Sequence, residues 1–399
     1  MKKLLAILLA LAMVFSLAAC SNNSDNPPTS GDNQGTDDPQ GGGEVTPLKI
    51  VYCGYSLSGE SGDRAKGVLE IARDQINAAG GVNGVPVEVE FIDGGADQQA
   101  YIDAYLKAVE VDGVSAIIGT FFSQYALACA DYANEAKIPT FNVATNFEMA
   151  EACDYYYTNR CVDTAFSNVM AQIAIDNGVT NPVTLFYNTS NGYNDSAFMK
   201  AYMEKEGYTV AEEIAFDNTN TTDYTSIVLQ AMNVKDSDGI LLHATANTDG
   251  QSIITLLHEY DYKFPIVSNS NLFADSFVAN TGAEPVEGLL GFAEYATTLD
   301  RPEIAAFEKM LQDGGFKYDT TGWADASFYD DFCLIVEAAK IAGANDKDSV
   351  NEGLKQIKGL KGVMTDYSYH DDHSFADNIY LATYTDGKVD ISETLDVVH

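Results

Sequence analysis

The sequence predicts an α/β protein built from two doubly wound, Rossmann-like lobes. From about residue 47 onward, short apolar runs typical of β-strands alternate with amphipathic helices, and this alternation stops and resumes near residue 168. Strands that alternate with helices form parallel sheets covered by helices on both faces. The two blocks have about four strands each, so we expect each block to form one lobe.

The first block contains four predicted strands, at residues 49–53, 87–91, 114–118 and 138–143. Apolar residues at 3.6-residue spacing place a helix after the first strand, and this helix ends at Ala79-Gly80-Gly81, a typical C-cap. A second helix includes Tyr101 and Ala108. A third is predicted to run from Ser123 to Ala136, between the third and fourth strands.

The second block has predicted strands at residues 182–187, 208–214, 239–242 and 264–267, separated by helices centred on Met199, Leu229 and Leu256. The remaining C-terminal part adds two helices and β-like stretches around Val363 and at residues 379–384. This part is too small for a third lobe, so the chain is expected to cross between the lobes more than once, at hinges. The predicted N-terminal lobe comprises residues 47–164 and 295–366, and the C-terminal lobe comprises 165–294 and 367–399.

The N-terminus has the features of a secretory signal peptide, predicted at residues 1–19. Two lysines precede an apolar run from Leu4 to Leu17 that is short for a membrane span, although a transmembrane anchor is the alternative. The residues Leu17-Ala18-Ala19-Cys20 resemble the bacterial lipobox, which implies that Cys20 is lipidated and holds the chain at the outer face of the cell membrane. Residues 20–46 contain no aromatic residue and one aliphatic residue, Val45, and are expected to form a flexible tether.

The net charge bears on the possible partners of the chain, and the cysteine content bears on disulfide formation. The formal net charge of −37 disfavours contact with nucleic acid, and we attribute it to an extracellular protein rather than to a cationic ligand. Besides Cys20 the chain has five cysteines, an odd number. Cys153 and Cys161 are close enough in sequence to form a disulfide, but isolated buried thiols are the preferred interpretation.

Several short motifs follow one another in a distinctive order. They are Ser58-Gly59, residues 76–84 (INAAGGVNG), Ile117-Ile118-Gly119, Ala144-Thr145-Asn146, Asp223-Tyr224, Glu287-Gly288-Leu289 and Tyr329-Asp330. In this order they resemble the amino-acid-binding proteins related to the Leu/Ile/Val-binding protein, which have the type I periplasmic-binding-protein fold. The resemblance covers nearly the whole chain from residue 47. It implies a monomeric solute-binding receptor that closes around its ligand and serves the permease and ATPase of an ABC importer. No enzymatic activity, cofactor or metal is expected.

The resemblance also implies which residues bind the ligand in the N-terminal lobe. Ser123 matches a serine that binds the ligand carboxylate, and Thr145 matches a threonine that binds both carboxylate and ammonium. The carbonyl of Val143 matches an ammonium acceptor, with Ala144 beside it and Ser58 after the first strand. A helix that begins at Ser123 would add N–H groups and a positive dipole end. The alternative roles are an N-cap for Ser123 and a turn hydroxyl for Thr145.

In the C-terminal lobe the match to the family is less regular. Tyr193 corresponds to a ligand-binding tyrosine, but it lies one residue later than in the family, with Gly192 as the apparent insertion. Thr245 stands where the family has a second tyrosine, and Asn247 offers a polar contact beside it.

The family's acidic residue for the ligand ammonium is absent, because Ser270 and Asn271 stand in its place. Either Glu60 or Asp195 supplies the charge from elsewhere, or the ligand is not a simple α-amino acid. The predicted ligand is a small polar carboxylate, an amino acid of the branched-chain type or similar. A short amide, urea or a carboxylate without an amine is the alternative, as is a ligand-sensing module in place of a transport receptor.

Overall fold

Two β-sheets organise the part of the chain that this computed structural model describes, namely residues 46–245, 248–397 and 399. The strands of the first sheet are β1 (Leu48–Tyr52), β2 (Val87–Phe91), β3 (Ala116–Ile118), β4 (Thr140–Phe141) and β5 (Tyr156–Tyr157). All its pairs are parallel, and the strand order is β2-β1-β3-β4-β5. This is one of the two common doubly wound orders.

The second sheet repeats that order and extends it at one edge. Its parallel strands are β6 (Val183–Tyr187), β7 (Glu212–Phe216), β8 (Ile240–His243), β9 (Ile266–Ser268) and β10 (Leu290–Ala293). A short separate ribbon of β11 (Leu360–Lys361) and β12 (Asp366–Tyr367) follows, and then β13 (Asn378–Thr385) and β14 (Lys388–Asp396). The sheet order is β14-β13-β10-β9-β8-β6-β7, with β13 and β14 antiparallel.

Helices cover both faces of each sheet. In chain order they are α1 (Glu60–Ala78), α2 (Gln98–Val109), α3 (Ser123–Ala128), α4 (Ala130–Ala136), α5 (Met149–Ala152), α6 (Asp163–Asp176), α7 (Ser190–Lys205), α8 (Thr225–Met232), α9 (Thr248–Glu259), α10 (Asp275–Thr281), α11 (Ala283–Val286), α12 (Pro302–Asp313), α13 (Trp323–Ala342) and α14 (Lys347–Leu354). Alternate residues of β1 face opposite ways: Ile50 and Tyr52 pack with α1 and α13, whereas Val51 packs with α2, as does Cys53 just after the strand. The two doubly wound, Rossmann-like lobes are therefore confirmed.

Three segments connect the sheets in the described chain, after β5, after β10 and before β13. The first and third lie side by side, since the Thr158 N–H donates to the His373 carbonyl at 3.2 Å. The first and second are joined by an ion pair between Arg160 and Glu294, and the second and third by a 3.0 Å ion pair between Arg301 and Asp366. The lobe boundaries given above remain a prediction.

The structure differs from the expected elements in several ways. The predicted helix from Ser123 to Ala136 is wrong as a single element, because it bends at Cys129 into α3 and α4. The bend lets Cys129 and the alanines on either side of it pack into one core. Strands β5, β10 and β14 were not predicted, and the stretch around Val363 is a turn between β11 and β12.

The five cysteines of the described residues are all free, and four of them are buried, as the preferred interpretation states; Cys333 is half-buried. Within the same residues, no helix combines the length and the apolar character needed to cross a bilayer. The predicted signal peptide, the lipidated Cys20, most of the tether and Asn247 lie outside the described residues.

Candidate functional site

One cavity of about 210 Å³ is lined by residues from both sheets and from the connection between them. The lining residues are Ser123, Thr145, Arg160, Asp163, Phe166, Ser167, Met170, Tyr187, Asn191, Asp195, His243, Asn269, Ser270, Asn271 and Phe292. Most of them follow the carboxyl ends of β3, β4, β5, β6, β8 and β9. In doubly wound sheets this edge is where ligands bind.

Four of the predicted site residues line this cavity: Ser123, Thr145, Ser270 and Asn271. Two hydroxyl groups from the first lobe and two neutral polar side chains from the second are thus brought together. Ser123 and Thr145 are half-buried, and Asn271 is exposed.

Val143 and Ala144 are buried next to the site rather than in its lining. The carbonyl of Val143, assigned by resemblance to a ligand ammonium, accepts a 2.9 Å hydrogen bond from Nη1 of Arg160. A cation of the protein thus occupies at least one lone pair of that carbonyl.

Three predicted residues lie away from the described lining. Ser58 is exposed, with its Oγ 3.0 Å from that of Ser56. Tyr193 is 53% exposed, and its ring packs against Phe186. Thr245 donates its N–H to the Asp249 carboxylate at 2.8 Å, and its hydroxyl contacts the same carboxylate.

Arg160 lines the cavity but was not predicted as a site residue from the sequence. Its guanidinium makes two 2.6 Å hydrogen bonds to the two carboxylate oxygens of Glu294. It also lies 4.8 Å from the centre of the Trp323 ring. The two side chains are largely buried, and the Glu294 carboxylate balances the charge of Arg160.

Asp163, the first residue of α6, is placed beside Thr145. Its N–H donates to the Thr145 carbonyl at 2.8 Å. Burial raises the pKa of the Asp163 carboxyl, and the nearby Asp195 carboxylate raises it further, against a hydrogen bond from the Thr145 side chain that lowers it. A carboxyl group therefore lies next to one of the predicted ligand hydroxyls.

A second polar cluster lies on the side of the second lobe. Asp195 Oδ2 is 2.8 Å from Nδ1 of His243, an ion pair when the histidine is protonated, although the two atoms lack the alignment of a hydrogen bond. Nε2 of the same ring is 3.3 Å from the Tyr187 hydroxyl. Ser167 donates a long, 3.4 Å hydrogen bond to Oδ1 of Asp195.

Of the two acids proposed from the sequence to replace the family's acid, the structure places only Asp195 in the cavity. Glu60 is exposed at the start of α1 and lies 3.8 Å from Arg64. A separate cavity, lined by glycines 54, 59, 62, 94 and 95, is the one that Glu60 borders.

A model of the periplasmic binding protein family matches residues 54–388 of this chain. The chain belongs to the periplasmic binding protein family. It is thus a solute-binding protein of a family that binds small molecules outside the cytoplasm.

Individual members of the family are distant relatives. A Leu/Ile/Val-binding protein homolog from Brucella abortus (strain 2308) is 24% identical over 328 residues, which cover 80% of this chain and 85% of the relative. The branched-chain amino acid transporter substrate-binding protein of Streptococcus pneumoniae, solved with isoleucine, has a TM-score of 0.69 at 22% identity, covering 88% of this chain and 100% of that one. A solute-binding protein of an ABC transporter from Rhodopseudomonas palustris HaA2, solved with p-hydroxybenzoic acid, has a TM-score of 0.72 at 22% identity, covering 88% and 98%. These similarities confirm the predicted fold class.

Proposed function

We propose that this periplasmic binding protein is the receptor of an ABC importer and that it binds an amino acid in the cavity between its lobes. Family membership and the names of its relatives support the transport role, with a permease and an ATPase as partners. The polar groups of the cavity support the ligand class.

The carboxylate of the ligand is assigned to the hydroxyls of Ser123 and Thr145, which line the cavity from the first lobe. The charge of Arg160 is already balanced by Glu294, so the neutral hydroxyls are the donors on that side, and the Thr145 hydroxyl would turn from the Asp163 carboxyl to the ligand carboxylate. Hydrogen bonds to a charged group contribute about 1.5–3 kcal/mol.

The ammonium group is assigned to Asp163, and this residue carries the proposal. Its carboxyl lies beside Thr145, so one ligand could present its two charged groups to adjacent side chains. Asp163 compensates for the neutral Ser270 and Asn271 and for the Val143 carbonyl, which already accepts a hydrogen bond from Arg160. A carboxylate without an amine, such as the ligand of the Rhodopseudomonas palustris protein, would leave Asp163 unbalanced.

Titration calorimetry with a panel of amino acids and aromatic carboxylates tests this proposal. Ser123→Ala and Thr145→Ala should each weaken the binding of an amino acid by about 1–3 kcal/mol, and Asp163→Asn should weaken it at least as much. Ser226→Ala, on the exposed surface of α8, is the matched control and should bind like the wild type. Binding of p-hydroxybenzoate with no binding of any amino acid would overturn the ligand assignment.

We also propose that the receptor is anchored through a lipidated Cys20. The lipobox-like sequence from Leu17 to Cys20 supports this. Cys20→Ser should release the protein from the membrane fraction while its melting temperature stays unchanged. Equal membrane retention of the variant would contradict the anchor.

A further inference from the structure

The cavity carries more negative charge than an amino acid with an uncharged side chain can balance. Its charged or titratable lining residues, within the described chain, are Arg160, Asp163, Asp195, His243 and Tyr187. Glu294 balances Arg160 through two 2.6 Å hydrogen bonds. The carboxyl groups of Asp163 and Asp195 then remain, and His243 is the one other side chain of the described lining that can carry a positive charge. A zwitterion brings no net charge, so it leaves an excess of acid.

Of the two remaining carboxylates, Asp195 has the weaker hydrogen bonds from the protein and no well-aligned cation beside it. Its residue is only 4% exposed, yet it forms part of the cavity wall. Its contacts are the long hydrogen bond from Ser167 and the poorly aligned approach of His243 Nδ1. A buried carboxylate normally requires a cation and good hydrogen bonds. Among the described lining residues no lysine is present, and Arg160 is engaged elsewhere.

The second-lobe wall of the cavity, which includes Asp195, is mostly polar and therefore unsuited to an aliphatic side chain. Phe166, Met170 and Phe292 are the purely apolar members of the described lining. The second lobe lines the cavity mainly with polar groups: Tyr187, Asn191, Asp195, His243, Asn269, Ser270 and Asn271. A branched aliphatic group there would remove these from water without replacing their hydrogen bonds, which is unfavourable.

The two acids also affect each other and the groups between them. Burial raises the pKa of Asp163, with the Asp195 charge as the next cause. Burial and then the same two acids raise the pKa of the Tyr187 hydroxyl. A cation in this cavity would reduce the repulsion between the two carboxylates.

We propose that the ligand carries a second cationic group, received by Asp195, and is therefore a basic amino acid or a similar amine-bearing carboxylate. The inference rests on the proposed function, because it assigns the α-ammonium to Asp163 and the α-carboxylate to Ser123 and Thr145. It replaces the branched-chain ligand expected from the family resemblance. The inference is based on the charges of the cavity lining and not on the net charge of the chain.

Pairs of amino acids that differ in one charge test the proposal directly. Titration calorimetry on the full-length protein in mild detergent would compare L-lysine with L-norleucine, L-ornithine with L-norvaline and L-arginine with L-citrulline. At least one cationic member should bind 10-fold or more tightly than its neutral partner. Asp195→Asn should reduce that ratio 10-fold or more and change the affinity for the neutral partner little. Asp390→Asn, exposed on β14, is the matched control and should leave the ratio unchanged.

The outcomes separate this inference from the proposed function. Equal binding of each cationic and neutral pair by the wild type would overturn the inference, and the amino-acid receptor would stand. Binding of neutral branched-chain amino acids alone would overturn it in the same way. Binding of none of these amino acids would overturn the proposed ligand class itself. The comparison of pairs uses wild-type protein, so it is decisive even if Asp195→Asn fails to fold.

Discussion

Asp331 lies inside α13 with no exposed surface, and neither of its carboxylate oxygens has a hydrogen-bond partner among the described residues. The neighbouring Asp330 is equally buried but accepts hydrogen bonds from the N–H groups of Val363 and Met364, at 2.8 and 2.9 Å, and from the Tyr367 hydroxyl. Burial raises the pKa of Asp330 to about 6. Burial, followed by the charge of Asp330, raises the pKa of Asp331 well above its usual value. Two adjacent residues of the same type therefore differ in their effect on stability.

Replacing Asp331 with leucine should stabilise the protein at neutral pH. A buried polar group without partners costs about 1–3 kcal/mol, so Asp331→Leu should raise the free energy of unfolding by about that amount. Because the folded-state pKa lies above the unfolded one, the folded protein keeps a proton that the unfolded chain loses, and stability falls as pH rises above about 4. The gain should therefore be larger at about pH 7.5 than at about pH 4.5.

Urea denaturation at both pH values measures this effect. Asp330→Leu is the control and should be destabilising at both, because it removes the acceptor of three hydrogen bonds. A loss of stability in Asp331→Leu at neutral pH would contradict the assignment of an unpartnered carboxyl.

At the scale of elements, the turn from β6 into α7 depends on Gly192. The Thr189 side chain caps α7 by accepting the Gly192 N–H at 3.3 Å. A Cβ atom at this glycine would lie 2.0 Å from the carbonyl oxygen of Tyr187. Gly192, an apparent insertion in the sequence, is thus where the helix meets the end of the strand, and Tyr193 after it faces solvent.

Gly192→Ala should therefore affect both stability and binding. The added carbon must push apart β6 and α7, which carry Tyr187 and Asp195 of the cavity, at a cost of about 1–3 kcal/mol in unfolding free energy. Gly59→Ala is the control for the close approach, since its Cβ would have its nearest contact at 3.5 Å; because Gly59 is the N-cap of α1, it should lose at most about 1 kcal/mol and leave binding unchanged. Thermal denaturation and calorimetry on both variants give the comparison. Similar effects of the two substitutions would contradict the role of the close approach.

The lengths of the strands explain which parts of the fold and the site could be predicted from the sequence. Most long apolar strands were predicted because their period and length agree with a buried parallel strand. Ser123 and Thr145 were assigned from the family resemblance, which places them after the ends of two of these strands. Strand β5 has two residues, too few to show any period, so Asp163 was not recognised as following a strand. Arg160 could not be assigned, because its partner Glu294 is distant in sequence and follows another unpredicted strand, β10.

For the whole molecule, the ion pair between Arg160 and Glu294 joins two of the three connections between the sheets. Arg160→Met should lower the free energy of unfolding by about 3–5 kcal/mol, because it leaves the Glu294 carboxylate buried and unpaired. The double variant Arg160→Met/Glu294→Met should recover much of this loss, since no unpaired charge remains. A denaturation series on the two single variants and the double variant measures the coupling. Equal losses in Arg160→Met and the double variant would show that the lost contacts to Val143 and Trp323, and not the charge, are responsible.

Ligand binding should also close the two lobes. The proposed ligand contacts are divided between them: Ser123 and Thr145 follow strands of the first sheet, whereas Asp195 and His243 belong to the second. A ligand that binds both sets favours the conformation in which they are close, and the three tied connections restrict the motion to a hinge. Small-angle scattering should therefore show a smaller radius of gyration when the tightest-binding amino acid is saturating. Asp195→Asn weakens the ligand contact on the second lobe only. At a ligand concentration that saturates this variant, its radius of gyration should therefore decrease less than that of the wild type. An unchanged radius in the wild type at saturation would mean that the cavity is already formed without ligand, and closure could not then signal ligand binding to an importer.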